Sequence, residues 1–150
     1  EFYEHITRRL NPGGLVCQWL LLEAREDDLS MAMKSFVDMF PPMLVFQTVG
    51  QTKGLFMIGS LSPIHFDDRR IDSVFRSANV KDDLAETDNV VTAREIIDSY
   101  LGDRELFYEA FSNVPAVTDN HPRTEYFLLR HNFTEVPMMT IPRLLRRLHK

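Results

Sequence analysis

An apolar run directly after a tight turn most constrains the fold of this chain. The sequence Asn-Pro-Gly-Gly at 11–14 predicts a turn, because proline fixes φ and glycine permits positive φ. Residues 14–22 are then apolar except for Cys17 and Gln18. Such a run is typical of a strand covered on both faces, as in a parallel α/β sheet. Gln18 lies near its C-terminal end, where ligands bind in open α/β sheets, so a site is predicted there.

Composition excludes several classes of protein. The chain has 150 residues, 44% hydrophobic and 26% charged, which is typical of one globular domain. Its net charge of -5 argues against nucleic acid as a partner. The single cysteine, Cys17, excludes an internal disulfide and is predicted to be a small buried hydrophobe. With no zinc-like spacing, membrane span or secretory signal in the sequence, we expect a cytoplasmic protein.

The remaining periodicities predict a mixed α/β fold. Helices are predicted at 1–10 and 26–40, and two short strands at 43–48 and 54–59 form an antiparallel hairpin. Residues from about 62 to 112 are predicted to be mainly helical, with Thr92 and Glu95 forming a capping box. A basic amphipathic helix is expected at 142–150. A chain that starts inside a helix is expected to be a fragment of a longer protein.

Three passages resemble the C-terminal half of the spermidine synthase family. They are residues 10–22, residues 56–60, and residues 118–126, which resemble a Thr-Asp-Asp-x-Pro-x-x-Glu-Tyr segment of bacterial synthase-like proteins. The resemblance implies the C-terminal part of a Rossmann-like methyltransferase sheet, with three strands and covering helices. It also implies boundaries: a half-domain at 1–60, a helical extension at 61–130 and a basic C-terminal tail at 131–150.

The resemblance also implies an activity for a longer parent protein. The family transfers an aminopropyl group from decarboxylated S-adenosylmethionine to a polyamine. Its cofactor loop and catalytic aspartate correspond to sequence upstream of Glu1, so no catalytic, cofactor-binding or metal residue is expected in this chain, which should be inactive alone. The residues expected to line the amine pocket are Gln18, Trp19 and Thr48. The alternatives are a strand amide bonded to its neighbours for Gln18 and core packing for Trp19.

The hairpin connection departs from the family pattern. Polyamine synthases have Pro-Thr-Tyr-Pro there, and the tyrosine lines the amine channel. This chain keeps Thr48 but has Val49 in place of the aromatic residue. Val49 offers a cationic alkylamine neither an aromatic face nor a carboxylate.

Other functions stay open at this point. The chain also fits a non-catalytic scaffold or interaction domain derived from this fold, or a methyltransferase acting on another acceptor; the parent's upstream sequence discriminates between them. The loop residues Asp119, His121 and Glu125 are interpreted as turn formers and helix caps rather than a metal site. The acidic pairs at 27–28 and 82–83 are interpreted as solvated helix starts. The basic residues Arg143, Arg146, Arg147 and Lys150 are interpreted as a solvated face or a frayed terminus rather than a site for an anionic surface or a partner.

The resemblance places residues 14–22 between an upstream strand and the last hairpin strand. Without the upstream strand, one edge of this apolar strand has no partner and is a template for another chain. The predicted partners are therefore the missing N-terminal half or a second copy of the chain, besides a small-molecule amine.

Overall fold

The computed structural model describes residues 2–22, 24–50, 53–118 and 137–149. Its helices and strands, in chain order, are α1 (Phe2–Thr7), β1 (Leu15–Leu21), α2 (Glu26–Met39), β2 (Met43–Gln47), β3 (Gly54–Ser60), α3 (Asp68–Phe75), α4 (Ala78–Asp88), α5 (Ala93–Asp98), β4 (Tyr100–Asp103), α6 (Arg104–Ala110) and α7 (Ile141–Leu148). Within these ranges, no helix is both long and apolar enough to cross a membrane.

The strands form one four-stranded antiparallel sheet in the order β1-β3-β2-β4. β3 lies inside it, with β1 on one side, from Leu15↔Ser60 to Leu21↔Gly54, and β2 on the other. This confirms the predicted mixed α/β class, the three predicted strands and the antiparallel hairpin. The predicted turn before β1 is also present: Gly13 has a φ of 71°, and the Gly14 N–H donates to the Asn11 carbonyl at 2.8 Å.

The main core lies on the face of the sheet that α1 and α2 cover. Val45, Leu55 and Met57 point into it from the strands. Gly59 permits close packing against α2, since a Cβ built there would lie 2.7 Å from the Phe40 ring. Among the described residues, the largest fully buried side chains are Leu22, Met33, Phe36, Val37, Phe40, Val45, Leu55, Met57, Phe107, Phe111, Met139 and Leu144. Helices α6 and α7 therefore share this core, so Leu144 of the predicted tail packs with residues of the predicted half-domain.

The prediction that residues 14–22 are covered on both faces is wrong. Exposure alternates along β1, and Leu15 and Leu21 are 60% and 52% exposed. Cys17 is exposed rather than buried, and β1 pairs antiparallel with β3 instead of lying in a parallel sheet. An apolar run predicts a strand, but it does not show which elements cover each face of that strand. The sequence therefore could not distinguish a central strand from an edge strand.

Residues 62–112 are mainly helical, as predicted, but they contain an unpredicted fourth strand. β4, which pairs with β2, lies inside the stretch that was predicted to be mainly helical. Gly102 has a φ of 153°, and a Cβ there would lie 2.7 Å from a Leu106 side-chain atom, so only glycine suits this position. At four residues, β4 is too short to show a strand period. Asp82 and Asp83 lie inside α4 rather than at a helix start.

Helices α3, α4 and α5 lie on the opposite face of the sheet. Phe75, Val90 and Ala93 form their small core, against which Val49 and Ile71 pack. The predicted capping box of α5 is confirmed: the Glu95 N–H donates to the Thr92 hydroxyl, and the Thr92 N–H donates to the Glu95 carboxylate. These helices cover β2 and β4 more fully than β1, where Leu15, Trp19 and Leu21 stay exposed.

Candidate functional site

Gln18 lies on the core face of β1, beside α1. Its Nε2 donates to the Trp19 carbonyl at 2.8 Å, and its Oε1 accepts a long hydrogen bond of 3.5 Å from the Tyr3 hydroxyl. Burial raises the pKa of Tyr3 to about 12, so this phenol stays a donor at neutral pH. Both the nitrogen and the oxygen of the Gln18 amide therefore form hydrogen bonds within the chain. This agrees with the alternative interpretation, in which Gln18 is a strand amide bonded to its neighbours.

Trp19 lies on the opposite face of the sheet, because successive side chains of a strand alternate. It is 43% exposed and sits over Gly54, where a Cβ would lie 2.6 Å from the indole nitrogen Nε1. Thr48 meets the same glycine from β2. Its hydroxyl accepts from the Gly54 N–H at 2.8 Å and donates to the Gly54 carbonyl at 3.2 Å.

The structure thus brings Trp19 and Thr48 together at Gly54 and places Gln18 on the other side of the sheet. Trp19 presents an aromatic surface to solvent, whereas Thr48 is 8% exposed and closes the β2–β3 hairpin. The assignment of these three residues to an amine pocket stays a prediction, and the described residues do not gather them around one cavity.

A mainly apolar cleft lies on the same face as Trp19, and sequence reasoning missed it. It has a volume of about 540 Å³ between the sheet and helices α3–α5. The sheet supplies Leu15, Cys17, Leu44, Phe46, Phe56 and Ile58. Ile64, Phe66, Ile71, Val74 and Leu84 lie opposite. Its volume is in the range of small-molecule sites. The sequence did contain a signal for it. The even-numbered residues Leu44, Phe46, Phe56 and Ile58 are apolar, which indicates that this second face of β2 and β3 is apolar too.

Three aromatic rings pack together on this face beside β2 and the edge strand β4. Phe66 stacks on Tyr100 with ring centroids 5.3 Å apart, and Phe46 contacts both rings at 5.4 and 5.5 Å. Burial, and next the charge of Asp103, raise the pKa of Tyr100 above its ordinary value. The trio therefore stays neutral and presents apolar ring surface rather than an acid or a base.

Polar residues are a minority of the cleft lining, and they are Cys17, Gln47, His65, Asp67, Arg70 and Ser99. Asp67 caps α3, with Oδ1 accepting from the N–H groups of Arg69 and Arg70 at 2.9 and 3.3 Å. Although Cys17 is exposed, partial desolvation of its thiol by the surrounding chain raises its pKa, which disfavours a thiolate nucleophile. Across the described ranges, no group of three or more His, Cys, Asp or Glu side chains is placed to hold a metal ion. The cleft lining is mainly apolar, so the cleft is suited to bind apolar groups.

Two arginines of α7, Arg143 and Arg147, bind neighbouring elements of the fold. Arg147 lies over the Phe111 ring at 4.4 Å, donates to the Ala110 carbonyl at 3.0 Å and pairs with Glu26 at 3.6 Å. Arg143 pairs with the same carboxylate at 3.1 Å. The interpretation of a solvated basic face is therefore wrong for Arg147, which docks α7 onto α6 and α2.

The acid pair at the start of α2 is only partly solvated. Arg25 is 4% exposed and donates to Asp27 at 3.2 Å. Partial burial raises the pKa of Asp27, but the hydrogen bonds from Arg25 and from the Asp28 N–H outweigh it and hold that pKa below its ordinary value. Asp119, His121 and Glu125 lie outside the described residues.

Comparison of the chain with protein-family models, with curated proteins and with solved structures gave no match. The geometry above and the resemblance of the sequence are therefore what any functional assignment rests on.

Proposed function

We propose that this chain is the C-terminal part of a spermidine synthase-like transferase, whose cofactor-binding and catalytic half lies upstream in a longer parent. In the family this means aminopropyl transfer from decarboxylated S-adenosylmethionine to a polyamine. By itself the chain supplies one wall of the acceptor pocket and does not turn over.

The strand order is the observation that carries this proposal. In the sheet that the resemblance implies, residues 14–22 lie beside the last hairpin strand, and an upstream strand takes their other edge. β1 pairs with β3, the second strand of the hairpin, rather than with its sequence neighbour β2. Among the strands that the structure describes, none lies on the outer side of β1. The sheet thus ends where an upstream strand would join it.

The described residues do not fit a complete cofactor site. Of the predicted pocket residues, Gln18 and Thr48 already use their polar atoms in hydrogen bonds within the chain. Neither side chain offers a carboxylate for a ribose or an amine. S-adenosylmethionine or its decarboxylated form would therefore be held by the parent's upstream half.

Calorimetric titration tests the placement of the cofactor site. We expect the 150-residue chain to show no micromolar binding of either S-adenosylmethionine or its decarboxylated form. Micromolar binding of either would show that the cofactor site lies within this chain. The parent polypeptide, extended upstream of Glu1, is expected to bind the decarboxylated form and to release methylthioadenosine when a polyamine is added.

Trp19 provides a sharper test in the same parent. Trp19→Ala is expected to raise the KM for the polyamine about tenfold, since an aromatic contact worth roughly 1.4 kcal/mol is lost. Leu21→Ala is the matched control, because Leu21 is exposed on the same face two residues away. An equal effect of both variants would indicate a general loss of packing instead of a contact with the amine.

The exposed apolar row on β1 favours a second candidate, an interaction domain without catalysis. Leu15, Trp19 and Leu21 are all exposed on one face, and contiguous apolar surface marks interaction sites. A parent that binds neither form of the cofactor, and whose upstream sequence lacks a glycine-rich loop, would favour this alternative.

A further inference from the structure

The outer edge of β1 carries a complete row of outward-pointing backbone groups. The Leu22 N–H donates to the Lys53 carbonyl at 2.9 Å, one step beyond the Leu21↔Gly54 pair. Hydrogen-bonded and non-hydrogen-bonded pairs alternate along an antiparallel ladder, so the even-numbered residues of β1 bond to β3. The odd-numbered ones point their N–H and C=O groups away from β3: Leu15, Cys17, Trp19 and Leu21. We call these four residues the outer row.

The outer row lacks the features by which proteins protect an edge strand. It contains no charge and no proline, and β1 runs through seven consecutive pairs with β3 without a bulge. One group in it is occupied: the Trp19 carbonyl accepts from the Gln18 amide. Within the described ranges, no strand pairs with this edge.

We propose that two copies of this chain associate through the outer row, with β1 antiparallel to the partner's β1 about a two-fold axis. The register centred on Gln18 pairs every group of the row, with Leu15 opposite the partner's Leu21 and Cys17 opposite the partner's Trp19. If the two strands shifted by one residue, backbone groups that point outward on one strand would face groups on the other that already bond to β3. A shift by two residues would leave part of the outer row unpaired.

The chemistry of the row favours a second copy over a different partner. A two-fold axis requires a surface that is complementary to itself. The small Cys17 opposite the large indole of Trp19 meets that requirement, and so does leucine opposite leucine. Because β1 has no charge, self-pairing sets no like charges against each other. The two Gln18 amides meet at the axis, where they can bond to each other and release the Trp19 carbonyls.

This inference concerns the 150-residue chain alone and does not rest on the proposed function. In a longer parent, the upstream strand proposed above would compete for the same edge. If the chain does not dimerise, the expected result of the cofactor titration stays the same. The two proposals can therefore fail separately.

Light scattering after size-exclusion chromatography provides the first test. We expect a species of twice the 17.5 kDa chain mass at high micromolar concentration. Leu21→Lys is expected to raise the dimer dissociation constant at least about tenfold, because a charge then enters the edge. Leu61→Lys is the matched control with no expected effect, since Leu61 is 51% exposed against 52% for Leu21 and lies outside β1. Circular dichroism checks that both variants fold.

Cysteine cross-linking tests the register directly. In a Cys17→Ser background, Gln18→Cys is expected to form a disulfide-linked dimer under mild oxidation, since facing Cα atoms of a non-hydrogen-bonded pair lie about 4.5 Å apart. Leu21→Cys in the same background is expected to stay unlinked, because position 21 and its symmetry mate lie about 20 Å apart at roughly 3.4 Å per residue. Cross-linking of the Leu21 variant instead would overturn this register. A monomer at high micromolar concentration, with or without slow amide exchange in the outer row, would overturn the dimer.

Discussion

At the scale of single residues, side chains predicted to meet a ligand are found to hold the sheet together. Thr48 was singled out because it matches a pocket position of the family, yet its hydroxyl bonds to both backbone groups of Gly54. Gln18 likewise bonds to the Trp19 carbonyl and to Tyr3. Sequence can identify a polar residue at a strand end, but it does not show whether a backbone group nearby already takes its hydrogen bonds.

Thr48→Val tests this structural role. The variant keeps the shape of the side chain but leaves the buried Gly54 N–H without its acceptor, so we expect a loss of about 1–3 kcal/mol in the free energy of unfolding. Urea denaturation measures it, at one fixed protein concentration because association shifts apparent stability. Thr48→Ser keeps the hydroxyl and should lose less. Equal losses for the two variants would assign the effect to the methyl group and contradict the prediction.

At the scale of elements, the start of α5 was predictable from the sequence. The Thr92 and Glu95 spacing predicted a capping box, and both hydrogen bonds of the box are present. Such a signal is readable because it depends on residues three apart and on no distant contact. The partners of α7 were not readable, because Arg147 meets Phe111, Ala110 and Glu26 only after α2, α6 and α7 have packed.

The capping box predicts a pH dependence. Hydrogen bonds from the backbone of Thr92, then from its hydroxyl and from the Val91 N–H, hold the pKa of Glu95 below its ordinary value of 4.5. A carboxyl whose pKa is lowered by folding stabilises the protein above its ordinary pKa, and that contribution is lost as the pH falls through the folded value. Amide exchange in α5 should therefore accelerate relative to the core as the pH falls from about 5 to about 3.

Glu95→Gln separates this carboxyl from the others. Its α5 amides should lack the additional acid-dependent acceleration. Glu86→Gln, which removes an exposed carboxylate of α4, controls for the loss of one negative charge. The same acid response in the Glu95 variant as in the unmodified chain would disprove the assignment.

Docking of α7 gives a second prediction at this scale. Arg147→Ala removes the stacking on Phe111 and the bond to the Ala110 carbonyl, so unfolding should become easier by about 1–3 kcal/mol. Arg146→Ala is the matched control, since among the described residues its side chain bonds to the Pro142 carbonyl of its own helix. Its effect should stay within about 0.5 kcal/mol. Denaturation of both variants under one condition decides the point, and a cost for Arg146 equal to that for Arg147 would contradict it.

At the scale of the whole molecule, the sequence predicted the class of fold and three of the four strands but not how the faces are covered. Hydrophobic period is a local property, and it located β1, β2 and β3 to within about two residues. Whether Leu15 and Leu21 lie under a helix depends on elements far along the chain, and both are exposed. The apolar cleft was missed for the same reason, because its walls come from strands and helices that lie far apart in sequence.

The position of β3 inside the sheet also sets the order in which the chain can be assembled during synthesis. β1 leaves the ribosome before β2 and β3, and its partner β3 is completed roughly 40 residues later. At the usual rates of translation, an apolar strand without charges stays unpaired for roughly 2 to 8 seconds. The β2–β3 hairpin forms from near neighbours, whereas β1 must wait for β3 to emerge. For those seconds the edge of β1 that β3 will occupy is unpaired, so mispairing of this apolar edge is the hazard that the late completion of β3 brings.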